Sequence, residues 1–566
     1  LKPEVLSGIS ASPGLATGVA RSVGRDPVVK DQQEVDPDAA GTAERALDAV
    51  AEELTQLAEN LRSQGHHDEA EIVAVGALMA NDPVLRSQVK EEAGRQKNAP
   101  QALLSVSDQH ASVIESLGDT TLSERAADIR QVGRRAASIA AGGAGPPPTS
   151  NGAGAILIAE ELGPADVSGP VANSVAAGVA LKGGPSSHAA IVARSLGVPL
   201  VLGVDPSILE ITDGTPLIVD GDAAKVTIHP DDHDIQDAKA VMRSAAKRRE
   251  ALAEERSLPS ATTDGAEVKL LCNVATPEEV RAGMGAGAEG VGLLRTELPF
   301  LESERWPDED AHRKVLRPIF EELEGAVVTV RVLDFGGDKL PPFLSSLGAD
   351  SSGIPRRGLP ALLSTPDALA AQLRAILDMG RRSRLKILLP MVTSLRELAR
   401  ARDLLNQAVK DVGVDPPELG IMVEVPSAAL LADTFAQEVD FFSIGSNDLT
   451  QHVLGLNRRD PGSQPALAAH PSILTLFARV VRAGTSNDIA VGVCGEAAAD
   501  TLVLPLMIGA GIRSISVSPA RLDETRARTR RLSSQVCRDV FSRALRMQSV
   551  EDVWDLVRSE ALPRIP

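Results

Sequence analysis

From about residue 262 onward, short apolar runs alternate with longer helical stretches, and the alternation repeats eight times. The runs span residues 268–272, 290–294, 327–333, 385–390, 420–425, 440–444, 490–494 and 514–517. Strands that are each followed by a helix are joined most simply in parallel, with the helices covering the outer face. Eight such units in a row predict a (β/α)8 barrel of the TIM type over residues 262–566. In barrels of this kind chemistry sits where the strands end at their C-terminal face. The residues that close each run are therefore the first candidates for function.

The second run is followed by Arg295-Thr296-Glu297. The third carries Arg331 and leads into Asp334-Phe335-Gly336-Gly337-Asp338-Lys339. The fifth ends in Glu424-Val425-Pro426. The sixth ends in Gly445-Ser446-Asn447-Asp448, with Arg458 ten residues further on, and the seventh in Cys494-Gly495-Glu496. Any one of these has a plain explanation as a solvated loop charge or a structural ion pair. Their joint appearance at the ends of different strands points to a site that handles a small phosphorylated acid with Mg2+. This ion prefers oxygen and takes one or two protein carboxylates, a role that suits Glu424 and Asp448. Arg295, Arg331 and Arg458 offer planar donors to phosphate and carboxylate groups, and Asn447 can donate to a phosphate oxygen. Cys494 stands where a thiol can pass a proton to carbon as a general acid. Its plainer reading is a small buried apolar residue. The segment Gly336-Gly337-Asp338-Lys339 lacks the spacing of a nucleotide-binding P-loop and reads as a strand-end loop.

The other half of the chain holds a different signal. In Gly183-Gly184-Pro185-Ser186-Ser187-His188-Ala189-Ala190-Ile191-Val192-Ala193-Arg194 a histidine follows a glycine turn and opens a helix. The positive end of a helix disfavours imidazolium, so the ring stays neutral and keeps a nucleophilic lone pair. The same helix end tolerates a phosphoryl group on that ring. Residues 1–30 read as short strands with turns at Gly8, Pro13-Gly14 and Gly18. Strand patterns return at 155–159, 175–181, 199–202, 216–219 and 225–229. Between them helical spacing runs through 43–61, 70–79 and 102–117, and another helix begins at 122–130. The expected organisation is a phosphohistidine α/β domain over 1–30 and 150–233, an all-helical insert over 31–149, a helical linker over 234–261 and the barrel over 262–566. It is a multidomain α/β chain, as 566 residues require.

Composition excludes several classes. A net charge of −19 suits no nucleic-acid partner. Tyrosine is absent and aromatics are 2%, which argues against recognition by stacking. No run of 18 apolar residues exists, so no membrane insertion is expected, and with no signal peptide in view the expected location is cytoplasmic. Three widely spaced cysteines, Cys272, Cys494 and Cys537, suggest neither a disulfide framework nor a metal cluster.

The chain resembles the Enzyme I family of the bacterial sugar phosphotransferase system over nearly its full length. The resemblance is carried by Gly8-Ile9-Ser10-Ala11-Ser12-Pro13-Gly14, by the helix at 124–130 and by the His188 segment. It continues in Phe441-Phe442-Ser443-Ile444-Gly445-Ser446-Asn447-Asp448-Leu449-Thr450-Gln451 and Gly492-Val493-Cys494-Gly495-Glu496. It implies a phosphoenolpyruvate–protein phosphotransferase. His188 would be phosphorylated on Nε2, and Arg295 and Arg331 would bind the substrate phosphate with Asn447 and Arg458 nearby. Glu424 and Asp448 would hold Mg2+, and Cys494 would protonate the enolate as pyruvate forms. The helical insert would dock the histidine phosphocarrier protein HPr, and the barrel would form a homodimer. With no sensory domain ahead of Gly8, the sugar-system carrier is the expected acceptor. The linker would let His188 visit first the barrel and then the carrier.

Several positions depart from the family pattern. Ser186 and Ser446 replace threonines conservatively. The segment at 353–360 keeps Arg357 as the first arginine of its motif but has Pro360 at the second. Gly76 stands where a partner-contacting histidine is usual, although Arg125 remains. Two competing readings were weighed. ATP-dependent pyruvate dikinases and phosphoenolpyruvate synthases need a nucleotide-binding domain that the 187 residues before His188 leave no room for. A non-catalytic phosphoenolpyruvate sensor would not need His188, Glu424, Asp448 and Cys494 together.

Overall fold

The structure, a computed structural model, describes residues 3–23, 36–63, 67–115, 120–142, 154–168, 175–184, 187–301, 303–335, 341–345, 357–456 and 464–562. Ser186, Gly336, Gly337, Asp338, Lys339 and Arg458 lie outside the described residues, as do 353–356. The chain divides into two compact units, Leu1–Lys247 and Arg248–Pro566.

The first unit contains an eight-stranded sheet in the order β1-β8-β7-β3-β4-β5-β6-β2. The strands are β1 (Glu4–Ser7), β2 (Ile9–Ser12), β3 (Leu15–Ser22), β4 (Ala155–Ala159), β5 (Val175–Ala180), β6 (Leu200–Leu202), β7 (Pro216–Asp220) and β8 (Lys225–Ile228). The central run β3-β4-β5-β6 is parallel and the flanking pairs are antiparallel. Strand β4 is apolar throughout because both faces are covered. Ile156 and Ile158 pack on one side with Val179 and Val219, while Ala155, Leu157 and Ala159 pack on the other with Ala190 and Val192. Gly18 is not the turn expected from the sequence. It lies inside β3, where a Cβ would come within 2.2 Å of the Gly154 carbonyl oxygen. Close backbone approach, rather than a bend, is why glycine stands there.

Among the described residues, five helices lie between β3 and β4: α1 (Ala39–Ser63), α2 (His67–Ala80), α3 (Pro83–Gln96), α4 (Ala99–Glu115) and α5 (Thr120–Ala140). On α1 the buried residues Ala43, Leu47, Val50, Leu54, Leu57 and Leu61 recur at three- and four-residue spacing and form one apolar stripe. Helix α3 is absent from the sequence expectation. Its signals are local: Asp82 accepts from the Val84 and Leu85 amides, Pro83 opens the helix, and Leu85, Val89 and Ala93 are buried four residues apart. Beyond the insert come α6 (Pro164–Ser168), α7 (His188–Leu196) and, from Asp232 to Glu254, α8.

The second unit is a closed barrel of eight parallel strands. They are β9 (Lys269–Val274), β10 (Gly290–Leu294), β11 (Val327–Arg331), β12 (Arg384–Leu389), β13 (Glu418–Val423), β14 (Phe441–Ile444), β15 (Ala490–Val493) and β16 (Ser514–Val517). All eight expected strands are present. The period of two sorts the side chains of β11 and β13, and a register irregularity between Val291 and Leu294 interrupts it on β10. Val291 and Leu294 on β10, Val328 and Val330 on β11, and Ile421 and Val423 on β13 belong to the large core under the surrounding helices. Leu293, Leu388, Met422, Phe441 and Cys494 form a separate cluster. After the eighth strand come the helices Ser534–Ala544 and Val550–Leu556, which the sequence reading did not separate; the first packs onto the helix Leu504–Ala510 and the second onto the first. Gly509 permits that contact, since a Cβ there would lie 2.1 Å from the Cys537 carbonyl oxygen. Among the described residues no helix is long and apolar enough to cross a membrane.

Candidate active site

Strand parity determines what gathers at the C-terminal end of the barrel. Met422 lies in the inner cluster, so Glu424, two residues on, continues the same face. By the same alternation Arg295 follows Leu293, Arg331 follows Thr329 and Cys494 follows Gly492.

At this rim charge is dense and dry. Arg331 Nη2 donates to Glu297 Oε1 at 2.7 Å, and its Nη1 lies 3.2 Å from Asp334 Oδ2. Arg357 grips two carboxylates at once. Its Nε and Nη2 donate to Asp334 at 3.1 and 3.0 Å, and its Nη1 and Nη2 donate to Asp448 at 3.0 and 3.2 Å. Burial opposes the charge on both guanidiniums, yet the surrounding carboxylates hold each above its ordinary value. A buried amide braces the frame: Gln372 Nε2 donates to Thr296 Oγ1 at 3.0 Å, its Oε1 accepts from the Leu333 amide at 2.9 Å, and Thr296 Oγ1 donates to the Arg331 carbonyl at 2.9 Å. The ends of β10 and β11 are thereby tied together.

Glu424 is fully buried. Its Oε1 accepts from the Met391 amide at 2.7 Å, and its Oε2 is buried with no hydrogen-bond partner. Met391 adopts a φ of 55° to aim that amide, a left-handed conformation that costs a non-glycine residue about 1–2 kcal/mol. Burial, then the like charges of Asp334 and Asp448, push the Glu424 carboxyl well above the ordinary carboxylate range. An orphaned carboxylate oxygen beside two further carboxylates fits a hard divalent cation. Among the described residues no group of three or more His, Cys, Asp or Glu side chains forms a metal cluster. Mg2+ does not need one, because it usually takes one or two protein carboxylates and fills its shell with water and substrate oxygens.

Cys494 is buried, as its plainer sequence reading expects. It packs with Leu293, Leu388, Met422 and Phe441, and its Sγ accepts from Ser443 Oγ at 3.2 Å. Burial pushes its thiol up to about 11, with Glu424 adding to the shift, so it is protonated at neutral pH. Asn447 opens the helix Ser446–Leu454, and its Oδ1 accepts from the Glu496 amide at 3.0 Å, joining two rim loops. Those loops meet closely: a Cβ on Gly495 would fall 1.9 Å from Ser446 Oγ. Arg295 is half-buried, and its Nε is buried without a partner. Pro360 sits in the first turn of the helix Gly358–Ser364, where a missing amide hydrogen costs nothing. The change at that position leaves Arg357 at the rim.

His188 opens α7 in the first unit. Ser187 caps the helix, its Oγ accepting from the Ala190 amide at 3.3 Å. His188 Nδ1 lies 3.0 Å from Asp128 Oδ2 on α5. A carboxylate only accepts, so Nδ1 carries the proton and the lone pair of the neutral ring lies on Nε2. The histidine borders a hollow of about 190 Å3, whose lining includes Gln131, Arg134, Lys182 and Gly183. Nothing local in the sequence marked Asp128, which is 60 residues from His188 in the chain. Asp334 and Arg357 were in view at the sequence level, but not as partners of one another. Gly76 lies on α2, with Leu54 Cδ1 3.0 Å from where a Cβ would stand. The position faces the insert's own packing.

Three family descriptions match in series: PEP-utilising enzyme, N-terminal, over residues 7–125; PEP-utilising enzyme, mobile domain, over residues 152–224; and PEP-utilising enzyme, PEP-binding domain, over residues 249–534. The phosphoenolpyruvate-protein phosphotransferase of Staphylococcus carnosus is 34% identical over 562 residues, 98% of each chain. That of Bacillus subtilis is 32% identical over 570 residues, 98% of this chain and 99% of its own. The multiphosphoryl transfer protein of Rhodobacter capsulatus is 34% identical over 564 residues, which span 98% of this chain and 67% of that longer protein. With a barrel rim and a helix-opening histidine built as described, the chain belongs to the phosphoenolpyruvate–protein phosphotransferase family of PEP-utilising enzymes.

Proposed function

We propose that the chain moves the phosphoryl group of phosphoenolpyruvate to His188 and from there to a histidine of the phosphocarrier protein HPr, releasing pyruvate in the first step of phosphotransferase-system sugar uptake. The observation that carries this reading is the His188–Asp128 pair. It holds the proton on Nδ1 at 3.0 Å and leaves Nε2 as the nucleophilic nitrogen. In the transfer the Nε2 lone pair forms the N–P bond and the P–O bond to the enol oxygen breaks, with its electron pair staying on that oxygen. The enolate carbon then takes a proton, for which the protonated Cys494 thiol is the nearby acid. Arg295, Arg331 and Arg458 neutralise the phosphate, and Asn447 supplies an amide donor. Glu424 and Asp448 hold Mg2+, which when bound spreads and screens the phosphate charge. Three buried, unpaired cysteines suit the reducing cytoplasm. Family membership supports HPr as the acceptor and a homodimer through the barrel unit.

The test is a reconstituted transfer. Full chain, phosphoenolpyruvate, Mg2+ and HPr are mixed, and pyruvate and phosphorylated carrier are counted. Equal yields of the two products are expected. Tight binding of phosphoenolpyruvate with no pyruvate release would instead identify a sensor.

A further inference from the structure

Arg357 occupies an unexpected place for a residue at a phosphate-binding rim. Both of its partners are carboxylates, and one of them, Asp448, is a proposed metal ligand. Three of its four described hydrogen-bond contacts involve Nη1 or Nη2, and two of the four fall on the two Asp448 oxygens. A guanidinium and a divalent cation on the same two oxygens would repel strongly in so dry a place. Asp334 is the firmer anchor. Its side chain is 1% exposed, it is held by Arg331 as well, and it engages Arg357 through Nε. The backbone beside Arg357 is fixed too. Gly358 has a φ of 56°, and a Cβ there would meet Met391 Cβ at 2.7 Å and Asp334 Oδ1 at 3.3 Å. The guanidinium therefore has one permanent partner and one that metal chemistry would take over.

We propose that Arg357 is a built-in cation that Asp448 exchanges for Mg2+, so that metal and phosphoenolpyruvate bind cooperatively. The inference rests on the reading given under Proposed function. Without ligands, Arg357 offsets part of the negative charge that Asp334 and Asp448 bring to the rim. Adding Mg2+ alone displaces Arg357 from Asp448 into a rim already holding Arg295 and Arg331, which is unfavourable. Phosphoenolpyruvate brings a phosphate that accepts the released N–H groups, and the exchange becomes favourable. By linkage the metal must then tighten the substrate by the same factor. Arg357 thus acts as a positioning residue that sets the order of assembly.

The probe is Mn2+, which takes a similar octahedral oxygen set. Free Mn2+ is read by its paramagnetic resonance signal, in the full chain carrying His188→Ala so that phosphoenolpyruvate is bound but not consumed. Phosphoenolpyruvate is expected to tighten Mn2+ by a factor in the range of roughly 5- to 150-fold. Adding Arg357→Gln is expected to tighten Mn2+ alone by a similar factor and to remove most of the coupling. Arg357→Lys, which keeps the charge without the planar fork, should fall between, and it serves as the readout should the glutamine variant fail to fold. Mn2+ affinity without substrate that is unchanged or weaker in these variants overturns the exchange while leaving the phosphotransferase reading intact. If the parent binds neither Mn2+ nor phosphoenolpyruvate, that reading falls first and the exchange with it.

Discussion

His188 stands in the first turn of a nine-residue helix with 26% of its side chain exposed and Asp128 beside it. Arg331, in the barrel, has 9% of its side chain exposed and meets Glu297 and Asp334, with Glu424 and Asp448 close by. One centre is a single, partly exposed ring. The other is a lattice of opposite charges whose carboxylates are almost wholly buried. The difference suits the role proposed for each. A group that receives phosphate and passes it on must be accessible. A group that stabilises the charge of a departing phosphoryl works best preorganised in a low-dielectric place, where its dipoles need not reorganise during the reaction. Stability and chemistry are accordingly separable at His188 and entangled at the rim.

Substitution at equivalent functional positions should expose that asymmetry most strongly. Arg331→Met strands the buried Glu297 and leaves Asp334 to Arg357 alone, and urea denaturation should show a loss of about 3–5 kcal/mol in the barrel unit. His188→Ala should change stability by no more than about 1 kcal/mol in the same assay. Equal losses would erase the contrast.

Two histidines give a second comparison. His312 is 1% exposed, packs edge-on against Phe300 at 4.9 Å, and has an Nε2 buried without a partner. Burial, only partly offset by Asp308, pushes its ring down to about 4 from an ordinary 6.5. The unfolded chain therefore binds a proton that the folded chain refuses between those values. Stability is full above pH 6.5 and falls as pH drops towards 4, by at most about 3 kcal/mol. Replacing His312 with leucine should remove that slope from a pH series of denaturation curves, whereas His188→Ala should leave it in place.

Smaller effects sharpen the picture of each centre. Asp128→Ala removes the acceptor that orients the His188 ring, and the rate of phosphoryl transfer should fall about tenfold, the worth of a charge-assisted hydrogen bond. An unchanged rate would mean that the ring is positioned by its helix alone. Cys494→Ala should slow pyruvate formation yet keep phosphoenolpyruvate affinity within about twofold, as expected for a group acting in the chemical step. In the native chain the thiol, pushed up to about 11, should react with iodoacetamide far more slowly at pH 8 than a free cysteine, because the thiolate is the reactive form.

Much of this was legible in the residues. The eight barrel strands showed because each is a short apolar run bounded by polar helix starts, and β10 and β16 match their runs end to end. Arg295, Arg331, Glu424 and Cys494 lie at the strand ends where the sequence places them, because the barrel rule acts on local sequence. Partnerships were not legible. Asp128 and His188 are 60 residues apart, and Arg357 and Asp448 are 91 apart, so only tertiary packing unites them. Gly18 was misread because a glycine needed for close strand approach looks the same as one needed for a turn. Helix α3 was overlooked although Asp82-Pro83 signals its start; its charged surface, with Arg86, Lys90, Glu91 and Glu92, leaves only a thin apolar stripe.

The most direct measurement follows the phosphoryl group itself. The full chain is incubated with phosphoenolpyruvate labelled on phosphorus and Mg2+, and the protein-bound label is tested for stability and located by peptide mapping. The expected result is label on His188, lost in acid, retained in base, and absent from the His188→Ala chain. Label that survives in His188→Ala, or a native chain that binds phosphoenolpyruvate and acquires none, contradicts the account.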